Sequence, residues 1–243
     1  MSKGFSYNPW PLGHLPDKWQ RPEISWARER GWFQDDPREI VQKFEEEVAR
    51  YAGAPYAVAV DCCSHGLFLA LKYVQKLNPD LKNVGHKIPS RTYVSVPMQM
   101  LHAGLTPVLS PIDWSGSYAI GETGVFDSAG RFTSNMYLAQ KGIQVLSFQI
   151  KKILPIGRGG MILVDDFEAY KWLIRARHDG RDLTTEYDSR NHILEIGWHF
   201  YMTPEDAARG LQIFFDLPKD NDDCMKSSMY PDINQWKMKI GIR

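Results

Sequence analysis

The chain has 243 residues, which is enough for one large domain or two small ones, and its composition of 43% apolar and 24% charged residues is typical of a globular protein. Its 29 basic and 29 acidic residues cancel, which argues against a nucleic acid or an anionic membrane surface as the main partner. No apolar run reaches the about 18 residues of a membrane span. The three cysteines form no disulfide framework, so we expect a reducing, cytoplasmic setting, and the histidine spacing predicts no metal site.

Residues 1–34 have no clear periodicity, and we expect an N-terminal arm that wraps a surface or a partner subunit. The stretch 35–53 then predicts a helix that is capped by Asp36, buries one face and ends at Gly53. The residues of that buried face are Ile40, Phe44 and Val48.

The middle of the chain alternates between strand and helix patterns. Strands are expected over 56–60, near 88, over 106–113, 123–129, 143–148 and 160–166, with helices after Ser64, up to Gly104, after Asp165 or Asp166, and after Thr203. The segment 219–243 is polar and weakly patterned, and we expect a tail after a large domain at 35–218. The alternation predicts an α/β fold with a mostly parallel sheet flanked by helices.

The segment 147–166, SFQIKKILPIGRGGMILVDD, has two lysines between apolar runs, followed by three glycines, which have no side chains. One interpretation is a hairpin with a glycine-rich turn and solvated lysines. The other is a lysine presented to a cofactor, because the glycines let the backbone approach a bulky ligand. The remaining chain must decide between them.

Three further places suggest a ligand site, each with an ordinary structural alternative. The stretch 60–66, VDCCSHG, reads as a strand end before a helix start, where free N–H groups and Ser64 suit a phosphate. Asp127 follows an apolar run, where a carboxylate can balance a cation or cap a helix. Tyr93 is either a stacking aromatic or a core residue. Pyridoxal phosphate needs a lysine, an acid, a phosphate cradle and often an aromatic, and the chain offers all four.

With these motifs in order, the chain resembles the DegT/StrS family of nucleotide-sugar aminotransferases. This resemblance implies pyridoxal 5'-phosphate as the cofactor and the fold of the large domain of the fold type I aminotransferases. The resemblance runs from about residue 40 to 217. It is carried by FEEEVARYAGAPYAVAVDCCSHGLFLAL, PSRTYVSV, LHAGLTPVLSPID, FDSA, SFQIKKILPIGRGGMILVDD, RARHDGR and GWHFYMTPEDAARGL.

The resemblance implies a role for two catalytic residues. Lys152 stands at the sixth position of the block that begins at Ser147 and is the lysine that forms the Schiff base, whereas Lys151 is out of register. Asp127 pairs with the pyridinium nitrogen. The resemblance also implies phosphate contacts from Cys63, Ser64 and Ser147, a ring contact from Tyr93, and a contact from His199 to a neighbouring subunit's phosphate. Candidate substrate residues are Arg91, Arg131 and Arg158, since arginine suits phosphates and carboxylates.

The chain departs from the family pattern at several positions. The phosphate turn carries Cys62-Cys63-Ser64, and Gly130 stands where the family has a ring-stacking side chain. Only 13 residues separate Asp113 from Asp127, where the family has a further strand and helices, and we expect a shortened form without the small C-terminal domain.

The resemblance implies a homodimer with shared sites that transfers an amino group from glutamate or glutamine to a keto-sugar nucleotide. Two alternatives stay open. One is a non-catalytic subunit that kept the fold. The other is a different pyridoxal-phosphate reaction such as sugar dehydration, against which Lys152 argues, because those relatives carry histidine there.

Overall fold

Seven strands occur in the part of the chain that the computed structural model describes, which is residues 21–34, 36–185, 190, 192–239 and 242. They are β1 (Tyr56–Val60), β2 (Gly85–Pro89), β3 (Thr106–Ser110), β4 (Tyr118–Ala119), β5 (Val125–Asp127), β6 (Ile143–Ser147) and β7 (Gly160–Val164). Five of them form one sheet with the order β1-β7-β6-β5-β4, and β2 pairs with β3 in a second, two-stranded sheet.

The strand directions make the main sheet mixed. The pairs β5–β6 and β2–β3 are parallel, whereas β1–β7, β6–β7 and β4–β5 are antiparallel. The α/β prediction is confirmed, but the sheet is mixed where a mostly parallel one was expected. The reason is local: residues 148–159 contain no helix, so the chain returns directly from β6 into β7, and a parallel pair would need a longer crossover.

Seven α-helices accompany these strands in the described residues. Five of them, α2, α3, α4, α6 and α7, fall where the sequence predicts helices, whereas α1 and the single-turn α5 were not predicted. Their bounds are α1 (Pro22–Glu29), α2 (Glu39–Ala52), α3 (Cys63–Leu77), α4 (Ser95–Ala103), α5 (Met136–Ala139), α6 (Phe167–Ala176) and α7 (Pro204–Phe214).

Most predicted helix ends are present. Gly53 and Gly104 end α2 and α4 in the left-handed region, with φ of 75° and 85°, which glycine adopts without a Cβ clash. Asp166 and Thr203 accept N–H bonds at the starts of α6 and α7. The prediction for Asp36 needs a correction. Its carboxylate accepts the Arg38 N–H at 2.9 Å, one turn before α2 begins at Glu39.

The two faces of the main sheet bury separate apolar layers. Ala57, Ala59 and Leu163 point to one face, under α1, α2 and α7, while Val58 and Val60 point to the other, under α3, α4 and α6. This alternation follows from the period of two along a strand. The sheet is therefore covered by helices on both sides, and its strand ends remain free to form a site.

Helix α3 lies closely on the centre of the sheet. A Cβ added at Gly66 would lie 2.7 Å from Cγ1 of Val145, so only glycine allows this approach. The approach places the N-terminal end of α3 beside the ends of β1 and β6.

The described part of the predicted N-terminal arm contains a helix, although its sequence has no clear periodicity. Within 21–34, α1 packs against α7, with Ile24 and Ala27 buried; residues 1–20, which hold the rest of the predicted arm, lie outside the described residues. The proposed division into arm, large domain and tail stays a prediction. Among the described helices, none is long and apolar enough to cross a membrane.

Candidate active site

A cavity of about 630 Å³ opens where β5, β6 and the start of α3 meet. Its volume lies within the about 300–1,000 Å³ that is typical of small-molecule sites. Seven of the predicted site residues line it, namely Cys63, Ser64, Tyr93, Asp127, Ser147, Lys152 and Arg158.

The segment between β6 and β7 brings Lys152 to the cavity. A tight turn forms there, in which the Lys152 N–H donates to the Gln149 carbonyl at 2.8 Å, and the Phe148 carbonyl accepts the Gly157 N–H at 3.2 Å. Gly157 adopts a φ of 122°, a region that favours glycine. The hairpin interpretation is thus correct for the backbone, and the lysine nevertheless faces the cavity.

Electrostatics distinguish Lys152 from its neighbour. The Lys152 ammonium acts on Asp127 and Cys63, where it opposes the rise in pKa that burial produces. Lys152 is half-buried, whereas Lys151 is exposed, although both line the cavity. Because both lysines line the cavity, the choice of Lys152 for the covalent role rests on its register from Ser147 and stays a prediction.

Asp127 lies at the floor of the cavity and is buried. Its Oδ2 accepts the Tyr118 hydroxyl at 2.8 Å, and its Oδ1 accepts the Ala129 N–H at 3.0 Å. Burial is the largest influence and raises the pKa of this carboxyl, while the two hydrogen bonds and Lys152 act in the opposite direction. A buried carboxylate of this kind is stabilised by a cation, and a protonated ring nitrogen supplies one.

The start of α3 forms a cradle beside the cavity. The first hydrogen bond of the helix runs from the Gly66 N–H to the Cys62 carbonyl at 3.0 Å, so the three preceding N–H groups point out of its N-terminal end. A Cβ added at Gly160 would lie 2.6 Å from the Cys63 nitrogen, so the backbone of β7 closes the cradle from below. Such an end attracts an anion.

Two hydroxyls complete the cradle. Ser64 Oγ and Ser95 Oγ lie 2.8 Å apart, which brings the starts of α3 and α4 together. Ser147, at the end of β6, lines the same cavity.

The side chain of Cys63 lies in the same cavity wall, and its burial raises the pKa of the thiol. The thiol donates weakly to the Val145 carbonyl at 3.8 Å and is a packing group here, so the phosphate role predicted for Cys63 falls on its N–H.

An ion-pair cluster adjoins the cradle. Asp61 Oδ1 pairs with His65 Nδ1 at 2.7 Å, and Asp61 Oδ2 pairs with Arg158 Nη2 at 2.7 Å. The hydrogen bond to Asp61 raises the pKa of His65 to about 9. Asp61, Cys62 and His65 also have ligand atoms within 4.8 Å of one another, a spacing that a metal ion accepts. Both carboxylate oxygens of Asp61 are paired with the side chains of His65 and Arg158.

Two predicted substrate arginines have other partners. Arg131 forms a two-fold ion pair with Asp223, and Arg91 Nη1 donates to the Tyr230 carbonyl at 3.1 Å. Neither lines the cavity, and both attach the segment 219–239 to the large domain. Arg158 does line the cavity.

His199 also lies outside the cavity of this chain. It is exposed, and its Nδ1 lies 2.9 Å from Asp179 Oδ2. Because its predicted role concerns a second subunit, that role stays a prediction.

The sequence interpretation missed the wall of the cavity that the tail supplies. Met225, Met229 and Tyr230 line the cavity together with Trp114, whose ring centroid lies 5.7 Å from that of Tyr230. A Cβ added at Gly130 would lie 2.8 Å from Met225 Cβ, so the tail packs directly over the position of the family's ring-stacking residue.

The tail is held by polar contacts along its length. The Gly116 N–H donates to the Met225 carbonyl at 2.8 Å, Ser227 Oγ donates to Asp113 Oδ1 at 2.9 Å, and the Ile233 N–H donates to the Ser90 carbonyl at 2.9 Å. The tail thus closes one side of the site.

The residues present fit pyridoxal phosphate by three tests on this structure. The cradle at α3 exists because Gly160 has no side chain, the buried Asp127 calls for a cation, and the lysine that influences it is Lys152.

Comparison with known proteins shows which family and folds the chain is similar to. Residues 17–121 match the sequence profile of the DegT/DnrJ/EryC1/StrS aminotransferase family. The spore coat polysaccharide biosynthesis protein SpsC of Bacillus subtilis (strain 168) is 37% identical over 91 residues, which are 37% of this chain and 22% of that protein.

Solved structures share the fold at low identity. PseC of Helicobacter pylori, an aminotransferase involved in the biosynthesis of pseudoaminic acid, is similar with a TM-score of 0.62 and 17% identity, over 81% of this chain and 62% of PseC. DesI, solved in the presence of its TDP-sugar product, has a TM-score of 0.58 and 21% identity, over 81% of this chain and 57% of DesI. The chain spans about three fifths of these structures.

The fold is that of the large domain of the fold type I aminotransferases, with the cavity at its strand ends. Over residues 17–121, less than half of its length, the chain is similar to the DegT/DnrJ/EryC1/StrS aminotransferase family.

Proposed function

We propose that the protein is a pyridoxal-phosphate-dependent aminotransferase that acts on a keto-sugar nucleotide. The observation that carries the proposal is the meeting of Lys152, Asp127 and the α3 cradle in one cavity. When bound, pyridoxal phosphate supplies an aldehyde that takes up the amino group and a cationic ring that draws charge from the reacting carbon.

The chain's own residues have separate tasks in this proposal. Lys152 holds the cofactor covalently and, once released, moves a proton between the two carbon centres. Asp127 keeps the proton on the ring nitrogen. The α3 N–H groups, Ser64 and Ser147 bind the phosphate, and Tyr93, which is exposed at the cavity mouth, covers the ring.

The substrate class rests on the relatives and on the tail. SpsC, PseC and DesI are named for polysaccharides, pseudoaminic acid and a TDP-sugar product, which supports an amino-sugar pathway. Glutamate or glutamine as the donor is what the family resemblance implies. Trp114 and Tyr230 offer an aromatic wall and Arg158 a cation at the same cavity, a combination that suits a sugar joined to phosphates.

A homodimer in the cytoplasm is part of the proposal. His199 lies on the loop 197–202, GWHFYM, which the family resemblance assigns to the contact with the partner, and the exposed Ile196 directly precedes this loop. The three cysteines are free, as in a reducing compartment.

A spectral titration tests the proposal. Purified protein loaded with pyridoxal phosphate is mixed with a panel of amino-sugar nucleotides and, separately, with common amino acids. We expect the visible absorbance of the cofactor to be bleached by one amino-sugar nucleotide and also by glutamate or by glutamine. If only amino acids do so, the sugar assignment fails, and if nothing does, the protein is a non-catalytic subunit with the same fold.

A further inference from the structure

A second buried side chain contacts the acid of the site. Tyr118 lies on the two-residue strand β4, directly opposite Asp127 in the antiparallel register. Both residues are 6% exposed, and the 2.8 Å bond from the tyrosine hydroxyl to Asp127 Oδ2 is therefore shielded from water. Thr92, also buried, places its hydroxyl against the other side of the Tyr118 oxygen.

The direction of this chain of hydroxyls follows from the number of protons. An ionised carboxylate only accepts, and a tyrosine hydroxyl has a single proton, so Tyr118 donates to Asp127. Thr92 must then donate to Tyr118. With the Ala129 N–H on Oδ1, the carboxylate is held by one donor on each oxygen, which fixes its orientation.

We propose that Tyr118, supported by Thr92, is a positioning residue that orients Asp127 and keeps it ionised for the ring nitrogen of the cofactor. The proposal rests on the proposed cofactor. It concerns a residue from the short connection between Asp113 and Asp127, where this chain departs from the family pattern, and it acts on the cofactor only through Asp127.

The other titratable groups near Asp127 do not replace this role. Lys152 acts on Asp127 through its charge, and Cys63 and Tyr230 are neutral groups whose own pKa values burial raises. Neither Cys63 nor Tyr230 donates a hydrogen bond to Asp127. In the described residues, its carboxylate accepts from the Tyr118 hydroxyl and from the Ala129 backbone N–H. Loss of the tyrosine hydroxyl therefore removes the one side-chain hydrogen bond that the carboxylate receives there.

The test is the variant Tyr118→Phe, which keeps the ring and its packing 4.9 Å from Trp114. Carbon-13 NMR of labelled carboxyl groups in the protein without cofactor reports the titration of Asp127 directly, with Asp127→Asn to assign the signal. We expect the titration midpoint to rise by about one pH unit, since a hydrogen bond to a charged group contributes about 1.5–3 kcal/mol. An unchanged midpoint overturns the proposal.

A second readout is cofactor affinity across pH. Because the ring nitrogen pairs with the ionised acid, affinity falls as pH drops through the pKa of Asp127, and Tyr118→Phe should move this fall to higher pH and weaken binding at pH 7 about ten-fold. In the Asp127→Asn background the same change should have little effect.

Equal losses in the two backgrounds mean a structural role only and overturn the proposal. If the wild type binds no pyridoxal phosphate while the NMR midpoint still shifts, the proposed function fails and the Tyr118–Asp127 relationship stands.

Discussion

Arg131 and Asp223 join two parts of the chain that are 92 residues apart. The guanidinium donates from Nε and Nη2 to both carboxylate oxygens of Asp223, at 2.8 and 2.7 Å. A Cβ added at Gly116 would lie 2.1 Å from Asp223 Oδ1, so a larger residue at position 116 would collide with the carboxylate of this pair. Arg131 is thus committed to holding the tail that forms one wall of the cavity.

Removal of this ion pair should loosen the tail. We expect Arg131→Ala and Asp223→Ala each to lower the free energy of unfolding by about 1 kcal/mol, because two-fold pairs of this geometry are stronger than simple surface pairs. The double variant should be no less stable than either single variant. Hydrogen exchange at residues 223–233 should rise in all three, whereas Asp222→Ala, at an exposed neighbour, should leave it unchanged.

The same pair predicts a dependence on pH. The hydrogen bond from Arg131 holds the pKa of Asp223 below its usual value. A lowered folded pKa contributes stability above the unfolded pKa of about 3.9, and that stability is lost as the pH falls through the folded value. Urea unfolding between pH 2 and 6 should therefore show a loss toward acid that is smaller in Asp223→Ala. Equal acid sensitivity in the two proteins would contradict the assignment.

The variant Asp127→Asn should fold but lose transamination by at least about 100-fold. The amide can donate to Tyr118, which then donates to Thr92, so the hydrogen bonds among these three side chains are kept. A neutral amide cannot hold the ring nitrogen protonated, however. Steady-state rates and a thermal melt measure the two properties, and near-normal turnover would rule out the role of Asp127.

The variant Gly160→Ala should damage phosphate binding specifically. Its Cβ would meet backbone atoms of Cys62 and Cys63 at 2.6–2.8 Å, which cannot move away as a flexible side chain does. Overpacking of this kind costs about 1–3 kcal/mol. We expect affinity for pyridoxal phosphate to fall about ten-fold or more, with a smaller change for pyridoxal, which has no phosphate. Equal losses for the two ligands would mean that the cradle does not bind the phosphate.

His65 should be protonated at neutral pH. Its pKa is raised to about 9, chiefly by the hydrogen bond to Asp61 and next by that to Cys62. The stabilisation is complete below the unfolded pKa of about 6.5 and is lost as pH rises through about 9. Proton NMR of the imidazole should show this midpoint, and Asp61→Asn should lower it. A midpoint near 6.5 in the wild type would contradict the ion pair.

The features that the sequence predicted well depend on neighbours in the chain. Gly53 and Thr203 mark helix ends through bonds that span three to five residues, and the register from Ser147 to Lys152 lies within one turn. The acid at the end of β5 was predicted for a similar reason, since an apolar run before Asp127 indicates a strand end. The local pattern thus indicated Asp127 and the family resemblance indicated Lys152, and both residues line the cavity.

The features that were missed depend on distant contacts. Tyr118 lies on a strand of two residues, too short for any alternation to be visible, and its role arises only from pairing with β5. The tail has no periodicity, because backbone bonds to Gly116 and Ser90 hold it in place of a helix face. Arg131 was predicted to bind substrate because arginine suits phosphates and carboxylates, and its pairing with Asp223, which is 92 residues away, was not visible in the sequence.

The central claim is that Lys152 holds the cofactor covalently. Borohydride reduction of the protein loaded with pyridoxal phosphate, followed by peptide mass mapping, locates the bonded lysine directly, with Lys151→Ala and Lys152→Ala as matched variants. We predict the adduct on Lys152 in the wild type and in Lys151→Ala, and none in Lys152→Ala. An adduct on Lys151, or none on either lysine of the wild type, would contradict the account.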